Sequence, residues 1–464
     1  MITREPDAAF DMLDSLVYIG NDSAIPSARP IWRDDDAGAG YGVRNGERRK
    51  MLQEAANRLI ACSEGHPQRI ARLIEKSLIF DEARVNGILT LAERVAKSSA
   101  SDEDKEVIRA ALRKKIHWHR NYDEARGKAI ENKLRAMEDI YERISPRDPV
   151  VRYRWLFAGG RDEIPVCVRN DYKKQEELMD SQRLDALREI HAERGMKGIE
   201  QLAAACANEP NIGIVLAKLE VNIIDLSEWI VERGGDFSSR EPLFMTIRAL
   251  LCALPAPRST ELINKVLEEG KEKGWDTGKT ARFLVLAREE RATWEIVTSC
   301  GPDAEKAYWS MTSPGYWLRR DEADLEVALH RLLDADRPRT ALTACIPLLK
   351  KVDAGLLTEM LELMLKGKKP EGPLIESRHI RSAVARLEAS GAIDRDRLVR
   401  LEFGLIPMLG FKGEQCAKSF YDAIMSNPRI FTELLCIRYK PASGKREEPL
   451  SEEMKAAAEI VRRI

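Results

Sequence analysis

The stretch EARGKAIENKLRAMEDIYERI at positions 124–144 shows the pattern that decides the fold. Its apolar residues recur every three or four positions among charged ones, which is the spacing of one face of an α-helix. These apolar positions are Ile130, Leu134, Met137, Ile140, Tyr141 and Ile144. The stretch therefore predicts an amphipathic helix that buries one face and leaves the other in water.

The same helical pattern continues from Glu47 to position 464, through connections of a few residues that carry Gly, Pro, Asp or Ser. Only IPVCVRN at 164–170 has the alternation of a short strand. One compact core rarely grows beyond about 250–300 residues, so a uniformly helical chain of this length favours stacked pairs of helices. We predict an all-α fold, an α-solenoid of TPR- or HEAT-like helical hairpins. The repeats are degenerate, because no strict repeat of about 34 or 40 residues recurs.

Changes in this pattern divide the sequence into four segments. Residues 1–46 contain the Gly- and Asp-rich stretch IWRDDDAGAGYGVRNG, which predicts an irregular N-terminal arm. The helical part is predicted to comprise an N-terminal array at 47–160, middle repeats at 161–300 and C-terminal repeats at 301–464.

The composition argues against several classes of protein. Lys and Arg number 75 and Asp and Glu 76, so the whole molecule should exert no long-range attraction on nucleic acid or an anionic membrane. No run approaches the ~20 apolar residues of a membrane span, and the N-terminus lacks the apolar core of a signal peptide. The eight cysteines stand singly, without a Cys-x-x-Cys pair, which is typical of a reducing compartment. These features predict a cytoplasmic protein with no cofactor and no membrane partner.

A Gly-Lys-Thr at 278–280 raises the question of nucleotide binding. A phosphate-binding loop needs a glycine separated by four residues from this motif, and a buried strand ahead of it. Lys273 occupies the position of that glycine, and the preceding segment has helical spacing. We therefore predict an ordinary turn, in which one helix ends near 270–274 and the next starts after Asp276 or Thr277 as its N-cap.

The pair His117 and His119 is the strongest candidate for metal chemistry. Two histidines at this spacing share a face on a strand, but on a helix of ~3.6 residues per turn they diverge by about 200°. Because this segment ends a predicted helix, we expect both histidines at its surface. The chain shows no nucleophile motif and no metalloprotease motif, which favours a protein that is not an enzyme.

The stretch VVRYRWLF at 150–157 interleaves arginines with aromatic residues, a mixture that suits single-stranded nucleic acid. The same stretch carries an apolar helix stripe, and we predict core packing for it. A nucleic-acid-binding repeat is the alternative, and it requires a basic set to converge on one concave face. That set is Arg113, Lys114, Lys115, Arg120, Arg126, Arg152 and Arg154.

The stretch AYWSMTSPGYWLRR at 307–320 concentrates aromatic residues around a Pro-Gly turn, which predicts a corner between two helices. Packing at this corner is the favoured role for the four rings, and partner contact is the alternative, because aromatic and arginine side chains concentrate binding energy. If a partner binds here, the predicted contacts are Tyr308, Trp309, Tyr316, Trp317, Arg319 and Arg320. We expect Tyr316 or Trp317 to stay partly exposed, since four rings do not easily all pack inward at one corner.

Several stretches between about 140 and 441 carry a resemblance to known proteins. They include ISPRDPVVRYRWLF, LDALREIHAERGMKGIEQLA, AYWSMTSPGYWLRRDEADLEVALHRLLDADRPRTALTAC, LEFGLIPMLG and FYDAIMSNPRIFTELLCIRYKP. This texture resembles the C-terminal helical region of very large bacterial proteins, some of them STAND-NTPase-like and associated with antiviral defence. The resemblance implies a sensor or scaffold region, with nucleotide-binding and effector parts elsewhere. It carries no catalytic motif, so no functional residue is transferred.

These observations together predict a non-enzymatic helical-repeat protein that binds a macromolecule. A protein is the favoured partner, and the role is that of a sensor or scaffold in a bacterial antiphage assembly. The alternatives are the nucleic-acid-binding repeat and a metal-dependent hydrolase that uses His117 and His119.

Overall fold

A computed structural model shows an all-α protein in which every described element is helical, without a strand among the described residues. The residues described are 10–11, 54–77, 80–121, 128–158, 164–165, 171–206, 210–239, 241, 243–314, 322–367, 375–409, 417–427, 429 and 432. The all-α prediction is confirmed. The predicted arm at 1–46 lies outside the described residues apart from Phe10 and Asp11, and so does most of the predicted strand at 164–170.

The helices follow one another through short connections. The first part of the chain forms α1 (Pro67–Lys76), α2 (Glu82–Lys97), α3 (Asp102–Asn121), α4 (Lys128–Arg143), α5 (Pro149–Tyr153), α6 (Tyr172–Ala205), α7 (Pro210–Leu216), α8 (Ile223–Arg233) and α9 (Phe244–Ala253). The second part forms α10 (Ala256–Glu272), α11 (Thr277–Leu284), α12 (Arg291–Ser299), α13 (Pro302–Met311), α14 (Glu322–Asp334), α15 (Pro338–Cys345), α16 (Ala354–Lys366), α17 (Ser377–Ser390), α18 (Arg395–Leu409) and α19 (Lys418–Ser426). A helical segment at 54–61 precedes α1, and 3-10 turns lie at Arg154–Leu156 and Ile346–Lys351.

The chain divides into two compact units. Unit 1 comprises Met1–Val221 and Met245–Ala253, and unit 2 comprises Asn222–Phe244 and Leu254–Ile464. The boundaries predicted at 160 and 300 therefore fall inside these units. Each unit is therefore built from two separate stretches of sequence. Met245–Ala253 of α9 belongs to unit 1, although the chain before and after it belongs to unit 2.

Unit 1 is built from interlocking helix pairs. Its helices α1 and α3 pack together, as do α2 and α4, and each also contacts its sequence neighbour. The apolar face predicted at 124–144 is buried here, because Leu134, Met137 and Ile140 on α4 lie in the core. The core of this half continues through α1 to α3, with Ile70, Leu73, Ile88, Ile108 and Leu112.

Unit 2 repeats this mode of packing, with contacts between α8 and α10, between α11 and α13, and along the series α14 to α19. The predicted turn after α10 is confirmed. Gly274 takes a φ of 76°, and the Asp276 side chain accepts the backbone N–H of Lys279 at 2.6 Å as the N-cap of α11. The lysine of Gly-Lys-Thr lies over an aromatic ring, with Lys279 Nζ 4.9 Å from the centroid of Trp275. This arrangement is a helix connection and not a phosphate-binding loop.

No helix in the described part of the chain is long and apolar enough to cross a membrane. The helical-hairpin pairing within each unit agrees with a helical-repeat fold, and the TPR- or HEAT-like repeat type stays a prediction.

Candidate functional site

A cleft of about 400 Å³ opens in unit 1 between α4 and α6, with α3 and the α5 region at its floor. Its lining combines aromatic rings with carboxylates. The lining side chains are Arg109, Ile116, Glu138, Tyr141, Glu142, Tyr153, Trp155, Leu156, Pro165, Gln182, Asp185, Ala186 and Glu189. Each wall helix contributes two carboxylates one turn apart, Glu138 and Glu142 from α4 and Asp185 and Glu189 from α6, because residues i and i+4 share a helix face.

Buried charges on α3 hold two aromatic rings that line the cleft, Tyr141 and Trp155. Glu106 accepts hydrogen bonds from Nη1 and Nη2 of Arg113, both at 3.2 Å. Burial raises the pKa of Glu106, although the neighbouring guanidinium groups oppose this shift. The guanidinium of Arg113 lies 4.0 Å from the ring centroid of Trp155, and that of Arg109 lies 4.4 Å from Tyr141. These cation–π contacts fix both rings from the protein side.

The inner carboxylates of the cleft are held by arginines. Arg120 donates to Glu138 through Nε at 2.7 Å, and its Nη1 donates to Glu131. Arg152 donates to Glu189 Oε1 at 2.6 Å, and the hydroxyl of Tyr153 donates to Oε2 of the same carboxylate at 2.7 Å.

Burial is the main cause that raises the pKa of Tyr153, and the hydrogen bond to Glu189 raises it further. The phenol of Tyr153 is therefore protonated at neutral pH, and it holds Glu189 in a fixed position through its hydrogen bond.

The outer carboxylates of the cleft are open to solvent. Glu142 is exposed and pairs with no residue among those the structure describes, and Asp185 makes only an exposed pair with Arg188 at 3.0 Å. Exposed pairs of this kind contribute little binding energy. A cleft lined by two exposed carboxylates and several aromatic rings can receive a cationic group, which would pair with the carboxylates and lie near the rings.

The predicted corner at 307–320 is partly core. Tyr308 is fully buried and Trp309 is 4% exposed, packed at a centroid distance of 5.3 Å from each other. Arg337 closes the corner by donating to the carbonyl of Trp309 at 3.0 Å and to that of Thr312. These two rings therefore pack inside unit 2, where a partner does not reach them. The other predicted contacts, Tyr316, Trp317, Arg319 and Arg320, lie outside the described residues, and their role stays a prediction.

The histidine pair lies on one helix, since α3 runs through to Asn121. His117 is half-buried, with Nδ1 at 2.7 Å from the carbonyl oxygen of Ile164, which corrects the expectation of a surface position. The described residues contain no group of three or more His, Cys, Asp or Glu side chains placed to hold a metal ion.

Five residues of the basic set named for nucleic acid pair with carboxylates within unit 1. Arg113 and Arg120 pair with glutamates as described above, Lys114 pairs with Glu75 at 3.1 Å, and Arg152 pairs with Glu189. Lys115 donates to the carbonyl of Glu75, and Arg154 pairs with Glu103. Arg126 lies outside the described residues. Core packing of VVRYRWLF holds in part: Val150, Leu156 and Phe157 are buried, whereas Val151 and Trp155 of the predicted stripe are half-buried and Trp155 lines the cleft.

The sequence did not predict the cleft. Its wall carboxylates occur at i and i+4 on two amphipathic helices, and each pair by itself is typical of a solvated face. A search against family models, curated proteins and solved structures finds no match to this chain.

Proposed function

We propose that this protein is a non-enzymatic helical-repeat protein that binds a macromolecular partner, a protein in particular. The acidic and aromatic cleft of unit 1 is the observation that carries this proposal. The resemblance to helical regions of large defence-associated bacterial proteins supports a role as sensor or scaffold in an antiphage assembly of the cytoplasm. The internal pairing of the basic residues favours a protein over a nucleic acid as the partner.

The chemistry of the cleft selects a basic segment on that protein. A lysine or arginine side chain carries the charge to pair with the outer carboxylates Glu142 and Asp185, and a guanidinium also has a flat face that can lie against Trp155 or Tyr153. Arginine suits such a site best, because a planar guanidinium both stacks on rings and donates to carboxylates. The fixed Arg109 at the floor limits how deep a second cation can enter, so we place the contact at the outer half of the cleft.

The test reverses the charge of the outer carboxylates. A Glu142→Lys, Asp185→Lys double variant should lose the partner that the unchanged protein retains, in affinity capture followed by calorimetry with the purified partner. Glu261→Lys on α10 is the matched control, since Glu261 is an exposed glutamate of unit 2. A partner that binds the double variant and the unchanged chain equally would remove the cleft from the binding site.

The predicted corner contact has a separate test. Trp317→Ala should weaken partner binding by about 2 kcal/mol and leave the melting temperature nearly unchanged if Trp317 is a binding anchor. Trp309→Ala is the structural reference, because this ring is buried and its loss should cost about 3–5 kcal/mol of stability. If Trp317→Ala destabilises the fold as much as Trp309→Ala does, the corner is structural.

A further inference from the structure

A fully buried glutamate on α18 caps the next helix in unit 2. Glu402 has no exposed surface, and its Oε2 accepts the backbone N–H of Phe420 at 2.8 Å. Phe420 is the third residue of α19, whose own N-cap residue, Ala417, offers no side-chain acceptor. The start of α19 therefore takes its cap from α18, and the burial of Phe420 beside Phe403 adds an apolar contact.

A second buried glutamate oxygen lies on the neighbouring helix, since Glu388 belongs to α17, which packs against α18. Glu388 is near enough to Glu402 to raise its pKa, the Ser419 hydroxyl on α19 opposes this shift, and two ionised carboxylates hold no hydrogen between them. No described group donates to Oε1 of either residue, and both atoms are buried. One added proton satisfies both oxygens at once, because a protonated carboxyl group donates to its neighbour.

The cations around this pair are engaged elsewhere or exposed. On α17, Arg381 donates to the carbonyl of Leu409 at 3.0 Å and Arg386 lies near the carbonyl of Lys350 at 3.5 Å. On α16, Glu362 binds Arg397 of α18 at 2.7 Å. The half-buried His379 on α17 accepts from Nε of Arg378 at 3.3 Å. The remaining charged side chains on these four helices are exposed: Glu359 and Lys366 on α16, Arg378 on α17, Arg395, Asp396 and Arg400 on α18, and Lys418 and Asp422 on α19. None of these described cations pairs with Glu388 or Glu402, so a bound proton is what balances the charge of the two carboxyl groups.

We propose that Glu388 and Glu402 share one proton, and that release of this proton to solvent detaches the start of α19 from α18. Once both carboxyl groups are ionised, they repel each other in a buried site. The separation that relieves this repulsion moves Glu402 away from the N–H of Phe420. The two glutamates thus form a pH-sensitive latch on α19.

The direction of the pH effect follows from the state of Glu402. Burial, with the neighbouring Glu388 adding to it, raises the pKa of Glu402 to about 7 from its ordinary value of 4.5. The folded protein therefore keeps a proton that the unfolded chain has lost between these pH values. The stability that this site contributes is complete below about pH 4.5 and is lost as the pH rises through about 7.

Hydrogen exchange on the full chain tests the latch. Backbone amides of 418–426 should be protected at pH 5.5 and lose protection by tenfold or more at pH 8.5, after correction for intrinsic exchange. Glu402→Gln should keep the protection at both pH values. Its amide oxygen still accepts the N–H of Phe420, and its amide NH2 can donate to Glu388 at any pH, so no protonated carboxyl group is needed. Glu261→Gln, an exposed control, should behave like the unchanged protein.

Two results would overturn the proposal. One is equal protection of α19 at both pH values in the unchanged protein. The other is a loss of protection in Glu402→Gln that matches the unchanged protein. If Glu402→Gln does not fold, Glu388→Gln replaces it, since an amide at 388 also donates across the pair and must abolish the same pH dependence.

Discussion

At the scale of single residues, Gly213 on α7 allows a close approach to α9 within unit 1. A Cβ placed there would lie 2.1 Å from the carbonyl oxygen of Thr246 and 2.7 Å from the nitrogen of Leu250, both on α9. Gly213→Ala should therefore separate α7 from α9 and cost about 1–3 kcal/mol in the free energy of unfolding, measured by chemical denaturation.

Gly87→Ala is the matched control for this substitution. Gly87 lies on α2, where an added Cβ meets only Ile60 at 3.8 Å. Alanine at this position should raise stability by about 0.5–1 kcal/mol, because glycine is a poor helix former. If Gly213→Ala and Gly87→Ala shift the denaturation midpoint alike, Gly213 is not required for close packing between α7 and α9.

At the scale of elements, the connection between α10 and α11 depends on the cap at Asp276. Asp276→Ala removes the acceptor for the backbone N–H of Lys279 and should lower the free energy of unfolding by about 1 kcal/mol. Asp276→Asn keeps an acceptor and should lose less. Lys279→Ala should leave nucleotide affinity unchanged in calorimetry, and binding of ATP that this variant abolishes would contradict the assignment of this turn.

Local signals explain why these elements could be predicted. The structure breaks α6 at Gly195, where φ is 59° and ψ is −152°. Helical spacing, an N-cap aspartate and a glycine each act within a few residues, so sequence alone reveals them. The cleft depends on α4 and α6 both lining it, with Glu142 and Asp185, and the pair Glu388 and Glu402 depends on how α17 packs on α18. Neither arrangement has a local signal, because tertiary packing decides it.

At the scale of the whole molecule, charge balance sets the expected response to nucleic acid. The net charge is −1, and the described basic residues of the set named for nucleic acid engage carboxylates or carbonyl oxygens. We expect single-stranded RNA to bind weakly at low salt and to dissociate by ~0.2 M salt, as measured by fluorescence anisotropy. Tight binding that persists at that salt concentration would instead favour the nucleic-acid-binding repeat.

Because α9 belongs to unit 1 but follows a segment of unit 2, the order of synthesis constrains how the two units fold during translation. A ribosome releases the first part of unit 1 up to Val221, then the opening segment of unit 2, and only afterwards Met245–Ala253. The surface of α7 around Gly213 is therefore exposed to solvent during translation until α9 leaves the ribosome. Unit 1 completes its fold only when part of unit 2 has already left the exit tunnel, so the nascent domains overlap in time and do not form one after the other.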